Sequence, residues 1–549
     1  MPKLYYTILG EGIDGPVSVA GAADAAWEFP GGNKNGFRFM LLKAEPELPD
    51  CTLTEMTAEL PIQMGEQEFL FMNGFQSWSY CPEQTRKGRT RGINGLPKPL
   101  VNHYGLDRYA DYYFTKYPNK PGIMQGVSYC YFRDGDKYRL IASLDEEPGY
   151  TYFSYNAKLN KLTVRRDCEG LRVNGTYKAL DLYFAVGSEQ EVFDGWFDAM
   201  DIRPRTKEAV TGYSSWYNRY ENISQETILS DLEGAAAILK PGDLFQIDDG
   251  WEKAVGDWEA DPVKFPDGMK AMADVIHEKG FKAGLWLAPF AAAEKSSIYE
   301  EHPQWFYFYK HEPWFAGCNW DGFYALDMDH PEVRDYLKKV FRRVFDEWGF
   351  DLVKLDFLYA AAPFGSAKET RAGRQIRAMR FLRELCGDKL IIGCGVPLMP
   401  VFGLFDYCRI SCDVGLDWND TVIMQRTNRE RVSTKQAIEN AICRRQLDGR
   451  AFGADPDVFY LRDENIKLTA DEKKLLAINC ALFGTMHLCS DDMGTFTDAK
   501  RDAWARLRQI AKEAKDIRVS HTLDEKGKEK LSVLYHLGET GYTYDVPLK

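Results

Sequence analysis

Between residues 211 and 492 the chain repeats one rhythm eight times: a short apolar run that meets polar residues, followed in most cases by a stretch with helical spacing. The runs are GYSSWYN (212–218), LFQIDDGW (244–251), KAGLWLAPF (282–290), FDLVKLDFL (350–358), LIIGCGVP (390–397), YCRISCDV (407–414), AFGADPD (451–457) and MHLCSDD (486–492). Continuous apolar runs of this length suit parallel strands covered on both faces, and each such strand needs a crossover, usually a helix, before the next. Two helix starts carry capping boxes, Ser433 to Gln436 and Thr469 to Glu472. Eight strand–helix units over roughly 300 residues predict a closed (β/α)8 TIM barrel, with its active site at the C-terminal ends of the strands. An open doubly wound sheet is the alternative, but no run leads into a glycine-rich phosphate loop.

Residues 1–205 read differently, as short alternating strands broken by the turn segments GGNKNG, MNGF, FRDGDKYRL and RVNGT. Asn-Gly and Asp-Gly pairs suit tight hairpins, so an N-terminal antiparallel β-sandwich is expected, with MDIRPRTKEAV as the linker into a catalytic domain of 206–516. Alternation returns in 517–549, which predicts a small C-terminal antiparallel β-sheet. The fold class is therefore multidomain α/β. A net charge of −13 and the lack of a basic stripe argue against nucleic acid as a partner. No window approaches the ~18 uninterrupted apolar residues of a membrane span, and the start MPKLYYTILGEG has no basic segment leading into an apolar one. A soluble, cytoplasmic protein is expected. The twelve cysteines, scattered singly, fit reduced thiols, and Cys394, Cys408 and Cys412 lack the histidine partners of a zinc site.

The polar residues within the runs suggest chemistry. In LVKLDFLYAA (352–361), Lys354 and Asp356 stand two positions apart and so on one face of a strand, where burial of either charge alone is costly. Asp248 and Asp249 end the second run, Trp286 lies in the third, and Cys394 and Gly395 lie in the fifth. In the sixth, Arg409, Ser411 and Asp413 share one face, with Cys408, Ile410 and Cys412 on the other. Asp455 and Asp457 end the seventh run, Asp491 and Asp492 the eighth, either helping at the rim or capping the segments after them. Carboxylates converging on one rim with two cations can hold one acid ionised and another protonated, the condition for glycosidic cleavage. Asp356, beside the Lys354 ammonium, suits the ionised nucleophile and Asp413 the proton donor. Arg409 next to Asp413 favours the anion, so a protonated Asp413 depends on the other acids of the rim. Asp327, Asp329 and His330, in LDMDHPEV, fit a helix start at Pro331 better than a metal site.

QIDDGW, GLWLAPF, VKLDFLYA, GCGVPL, RISCDV and DPD occur here in the order found in glycoside hydrolase family 36, and the chain resembles the α-galactosidases of that family (clan D) across the whole barrel. The resemblance implies a retaining mechanism without metal or cofactor, with Asp356 as nucleophile and Asp413 as acid/base. It implies that Asp248 and Asp249 accept hydrogen bonds from the 4- and 6-hydroxyls, that Lys354 and Arg409 bind other hydroxyls, and that Cys394 and Gly395 back the 2-hydroxyl. Trp286, Trp216 in the first strand, and Trp78, from the sandwich segment NGFQSWSY, would form walls. The implied partner is a galactose-containing oligosaccharide or glycoconjugate, and a homo-oligomer is left open. An α-N-acetylgalactosaminidase on the same scaffold is the nearest rival, ahead of a non-catalytic galactose-binding protein and a metal-dependent hydrolase.

Overall fold

The computed structural model describes residues 4–28, 37–419 and 421–548; the turn segment GGNKNG lies outside the described residues. The barrel strands are Val210–Ser214, Leu244–Ile247, Lys282–Leu287, Leu352–Leu355, Leu390–Gly393, Tyr407–Arg409, Gly453–Asp455 and Met486–Cys489. The first seven pair in parallel with their sequence neighbours, and the eighth pairs with the first. Between seventh and eighth, the ring closes by a break: Pro456 cannot donate to a ladder, Asp457 takes a left-handed φ of 76°, and the chain resumes at Val458–Phe459, now paired to the eighth strand. The expected eight strands and their order are all present.

The strands end earlier than the apolar runs. The sixth stops at Arg409, so the alternation expected to carry Asp413 does not reach it. Its continuation is bound instead to the seventh unit, with Ile410 N–H donating to Asp455 O (3.0 Å) and Val414 N–H to the Asp457 carboxylate (2.8 Å). Ser411, expected on the mouth-facing side, is fully buried, and its hydroxyl donates to the carbonyl of Cys412. An antiparallel excursion after the third strand, Ala291–Ala293, Phe315–Gly317 and Phe323–Ala325, had no counterpart among the expected elements. No described helix is long and apolar enough to cross a membrane.

Two seven-stranded antiparallel sheets form the N-terminal sandwich, with Leu53, Met56, Leu162 and Val164 of one sharing a core with Met40, Leu42, Phe132 and Ile141 of the other. The expected hairpin at Asp134–Lys137 is present. RVNGT, by contrast, is a strand with an irregularity at its Asn-Gly, paired to the long strand Glu47–Pro61. The C-terminal sheet, Lys515–Leu523, Glu529–Leu537 and Thr540–Val546, docks on the sandwich, where the His521 ring stacks on Phe69 at 3.7 Å and its Nδ1 shares a hydrogen bond with Glu83.

Sandwich and barrel meet at the loop after Phe69–Met72, and Arg444 fastens it. That side chain is fully buried. Its Nε donates to Asn73 Oδ1 (3.1 Å), Nη1 to the carbonyls of Ser77 (2.6 Å) and Ile410 (3.0 Å), and Nη2 to the Gln76 carbonyl (3.1 Å). Each buried acceptor left without a donor costs about 1–3 kcal/mol. Arg444→Met is therefore expected to lower stability by about 3 kcal/mol or more, read from the urea midpoint; an unchanged midpoint would contradict the clamp.

Candidate active site

At the C-terminal ends of the strands lies a cavity of about 340 Å³ lined by Trp78, Trp216, Trp286, Trp320 and Phe357, by Asp248, Asp249, Asp356 and Asp413, and by Lys354. Its floor is an ion pair. Lys354, on the fourth strand, donates to Asp248 Oδ2 at 2.9 Å, and the same oxygen accepts from Gln246 Nε2 at 2.7 Å. Burial opposes the lysine's charge, but Asp248 and then Asp356 prevail and hold the ammonium well above its ordinary range.

Asp356 is the first residue beyond its strand, so Lys354 and Asp356 do not pair as strand neighbours. The hydrogen bonds to Asp356 come from the backbone N–H of Phe357 to Oδ1 (2.8 Å) and from Trp286 Nε1 to Oδ2 (3.2 Å). Burial raises the Asp356 carboxyl above the usual carboxylate value, Lys354 acting downward and Asp413 upward. Lys354 favours the Asp356 anion, in the expected direction, but it does so through space: the lysine's hydrogen bond goes to Asp248.

Asp249 accepts from Trp320 Nε1 at 2.8 Å. Burial and the Glu252 carboxylate beside it push Asp249 upward, and burial pushes Glu252 upward as well. Trp216 lines the cavity from the start of a short helix, Trp216–Arg219, rather than from the first strand.

Three expected contacts lie behind the wall: Arg409, Cys394 and Gly395 do not line the cavity and are nearly fully buried. Arg409 is turned to acids, with Nη1 on Asp413 Oδ1 (2.7 Å), Nε on Asp455 Oδ2 (3.1 Å) and Nη2 on Asp457 Oδ1 (2.8 Å). Cys394 and Gly395 are covered by Trp78, whose Nε1 donates to Cys394 Sγ at 3.3 Å. Gly395 has φ +55°, and a Cβ there would stand 2.9 Å from the Trp78 ring and 3.0 Å from Phe357 N, so a side chain would displace the tryptophan. The sandwich loop does bring Trp78 to the barrel mouth, held by Ser77 N–H on the Val396 carbonyl at 2.9 Å.

The remaining rim acids separate by role. Asp455 and Asp457 bind Arg409, whereas Asp491 accepts from the backbone of Leu461 and Arg462, and Asp492 caps a short turn at Gly494. Asp329 pairs with Arg374 and Arg377, and His330 precedes the helix Pro331–Arg342. Several wall residues were not anticipated. Trp320, with φ 56°, comes from the antiparallel excursion, packing against Trp286 at 5.8 Å and Phe357 at 4.9 Å. Tyr109 comes from the sandwich, and Glu430 and Arg431 from the loop after the sixth strand. The only sequence sign of Trp320 is one aromatic next to Asp-Gly in CNWDG, a turn signal without chemistry.

Comparison with known proteins gives this geometry a context. Residues 206–385 match the family model described as Melibiase. Over 323 residues the chain is 26% identical to an α-galactosidase of Escherichia coli, covering 56% of this chain and 42% of that one. Over 150 residues it is 29% identical to α-galactosidase Mel36A of Lactobacillus acidophilus, covering 26% and 20%. The matches thus span less than half the length of these curated relatives. Among solved structures, the α-galactosidase TtGalA of Thermus thermophilus, in complex with p-nitrophenyl α-D-galactopyranoside, aligns with a TM-score of 0.72 at 25% identity over 95% of this chain and 99% of that one. The GH36 α-galactosidase AgaA of Geobacillus stearothermophilus shares the fold, with a TM-score of 0.58 at 12% identity over 96% and 80%. The resemblance to the family 36 α-galactosidases and the expected fold class are borne out.

Proposed function

From this likeness to the family 36 α-galactosidases, we propose that the chain is a retaining exo-α-galactosidase that removes terminal α-linked galactose from oligosaccharides or glycoconjugates. The observation that carries the reading is that Asp356 and Asp413, from the segments that follow the fourth and sixth strands, line one cavity whose floor is the buried Lys354–Asp248 pair. Such a floor admits a chain end and stops it. The complexes of the Thermus relative with p-nitrophenyl α-galactoside and with stachyose support a galactose-containing substrate.

In the first step an Asp356 oxygen attacks the anomeric carbon as the glycosidic bond breaks, and Asp413 gives its proton to the departing oxygen. In the second, Asp413 takes a proton from water, whose oxygen displaces Asp356 and releases galactose. The N–H groups of Phe357 and Trp286 orient the two oxygens of Asp356. Asp248 and Asp249 are placed to accept sugar hydroxyls. Trp78 lies over Cys394 and Gly395, where the resemblance sets the 2-substituent, and its ring favours a hydroxyl over an acetamido group. Twelve free thiols, eleven of them buried, support a reducing interior such as the cytoplasm as the working compartment.

Assayed in parallel, p-nitrophenyl α-galactoside is expected to be hydrolysed with a kcat/KM about 100-fold or more above that of the α-N-acetylgalactosaminide. The reverse preference would establish the rival enzyme, and binding without turnover a sugar-binding protein. Asp413→Ala is expected to cost about 10²- to 10⁴-fold on substrates with poor leaving groups and far less on activated aryl galactosides; equal losses on both would contradict the acid role.

A further inference from the structure

We infer that Asp455 and Asp457 are positioning residues for Asp413, holding it through Arg409 and offsetting the arginine charge that would otherwise strip its proton. The inference rests on the acid/base role proposed for Asp413. All three N–H-bearing nitrogens of the guanidinium are committed, one to each acid: Nη1 to Asp413, Nε to Asp455 and Nη2 to Asp457. Asp413 is the member that meets the cavity, with its side chain 34% exposed, while those of Asp455 and Asp457 are 2% and 1% exposed.

Three ionised acids around one arginine would bury an excess of negative charge, which is strongly unfavourable. The cluster relieves this by keeping a proton, and interacting acids hold such a proton jointly. Asp457 exchanges it with Asp413: whenever Asp413 is protonated, Asp457 is the anion that offsets Arg409, and whenever Asp413 is ionised, the proton sits on Asp457. Burial raises its carboxyl, Arg409 opposes, and Asp413 and Asp455 add to the rise, leaving it at about 7. Its Oδ2 accepts from the Tyr217 hydroxyl (2.6 Å) and from Val414 N–H (2.8 Å); the hydroxyl can turn from donor to acceptor, so both protonation states keep a partner. The backbone is arranged for the same end, since Asp457 sits in a left-handed conformation and its N–H donates to Asp455 Oδ1 at 2.9 Å.

Other groups facing Asp457 do not compete for this role. Tyr217 and Tyr220 come from the segment after the first strand, Cys412 from the loop after the sixth, Tyr460 from the segment after Asp457, and Cys480 from the helix Ala470–Phe483. Their phenols and thiols are all raised by burial and stay neutral near pH 7. Arg409 is the cation among these neighbours, and Asp413 and Asp455 are the acids. When Asp413 protonates a leaving oxygen, its new carboxylate is already bonded to Arg409. When it must be a proton donor, the two buried acids reduce the pull of that same arginine.

The test is the pH profile of kcat/KM on an α-linked galactosyl disaccharide, whose poor leaving group makes the alkaline limb report the acid. Asp457→Asn keeps the acceptor for Tyr217 and Val414 but removes the charge, so the alkaline limb is expected to move to lower pH by about 1 unit. Asp455→Asn is expected to move it in the same direction and serves where the first variant fails to fold. A merely structural role would lower kcat/KM equally at every pH, and an unmoved limb in a folded variant overturns the inference while leaving the enzyme's identity intact. Should the unaltered protein hydrolyse no α-galactoside, the proposed function itself fails, and this inference with it.

Discussion

Lys354 and Arg409 are both buried beneath the cavity, and each is paired with acids: Asp248 from the second unit for the lysine, and, for the arginine, Asp413 from its own segment with Asp455 and Asp457 from the seventh unit. A cation that loses its partner in such a place is left uncompensated at a cost of about 3–5 kcal/mol. Strand order and register are therefore tied to charge pairing. The ends of the second and fourth strands, with the third between them, must reach one level of the barrel, and the sixth must lie beside the seventh, for these ions to pair. The break at Pro456–Asp457, which closes the ring, also brings two of these acids to Arg409.

The sandwich takes part in the same site. Its loop turns the Gln76 and Ser77 carbonyls to Arg444, and what the loop delivers is Trp78, packed on a glycine that has no room for a side chain. Trp320 approaches from the opposite source, an excursion of the barrel itself, and bonds to Asp249. Aromatic rings from two distant parts of the chain thus enclose a polar floor, an arrangement suited to a sugar with one apolar face and a ring of hydroxyls.

Much of this was legible in the chain because parallel barrel strands are apolar on both faces and stand out as uninterrupted runs, all eight of which became strands. Strand ends were less legible. Composition does not show where a ladder stops, and the alternation drawn through Arg409, Ser411 and Asp413 failed because hydrogen bonds to Asp455 and Asp457 pull the chain out of the sheet after Arg409. Residue identity pointed to Lys354, Arg409 and the Arg409 neighbour Asp413, but not to the pairing of Lys354 with Asp248 or of Arg409 with Asp455 and Asp457, which other units of the barrel set. The excursion bearing Trp320 left almost no trace, since strands of three residues have no periodicity to read. RVNGT misled for a related reason: Asn-Gly serves a bulge as readily as a hairpin.

The central claim is that Asp356 becomes covalently bonded to the sugar. Inactivation with a 2-deoxy-2-fluoro-galactosyl donor, followed by peptide mass spectrometry, tests it directly. One fluorogalactosyl adduct is predicted on the peptide that carries Asp356; an adduct on Asp413 or any other residue, or an enzyme that turns over galactosides yet is never labelled, would contradict it.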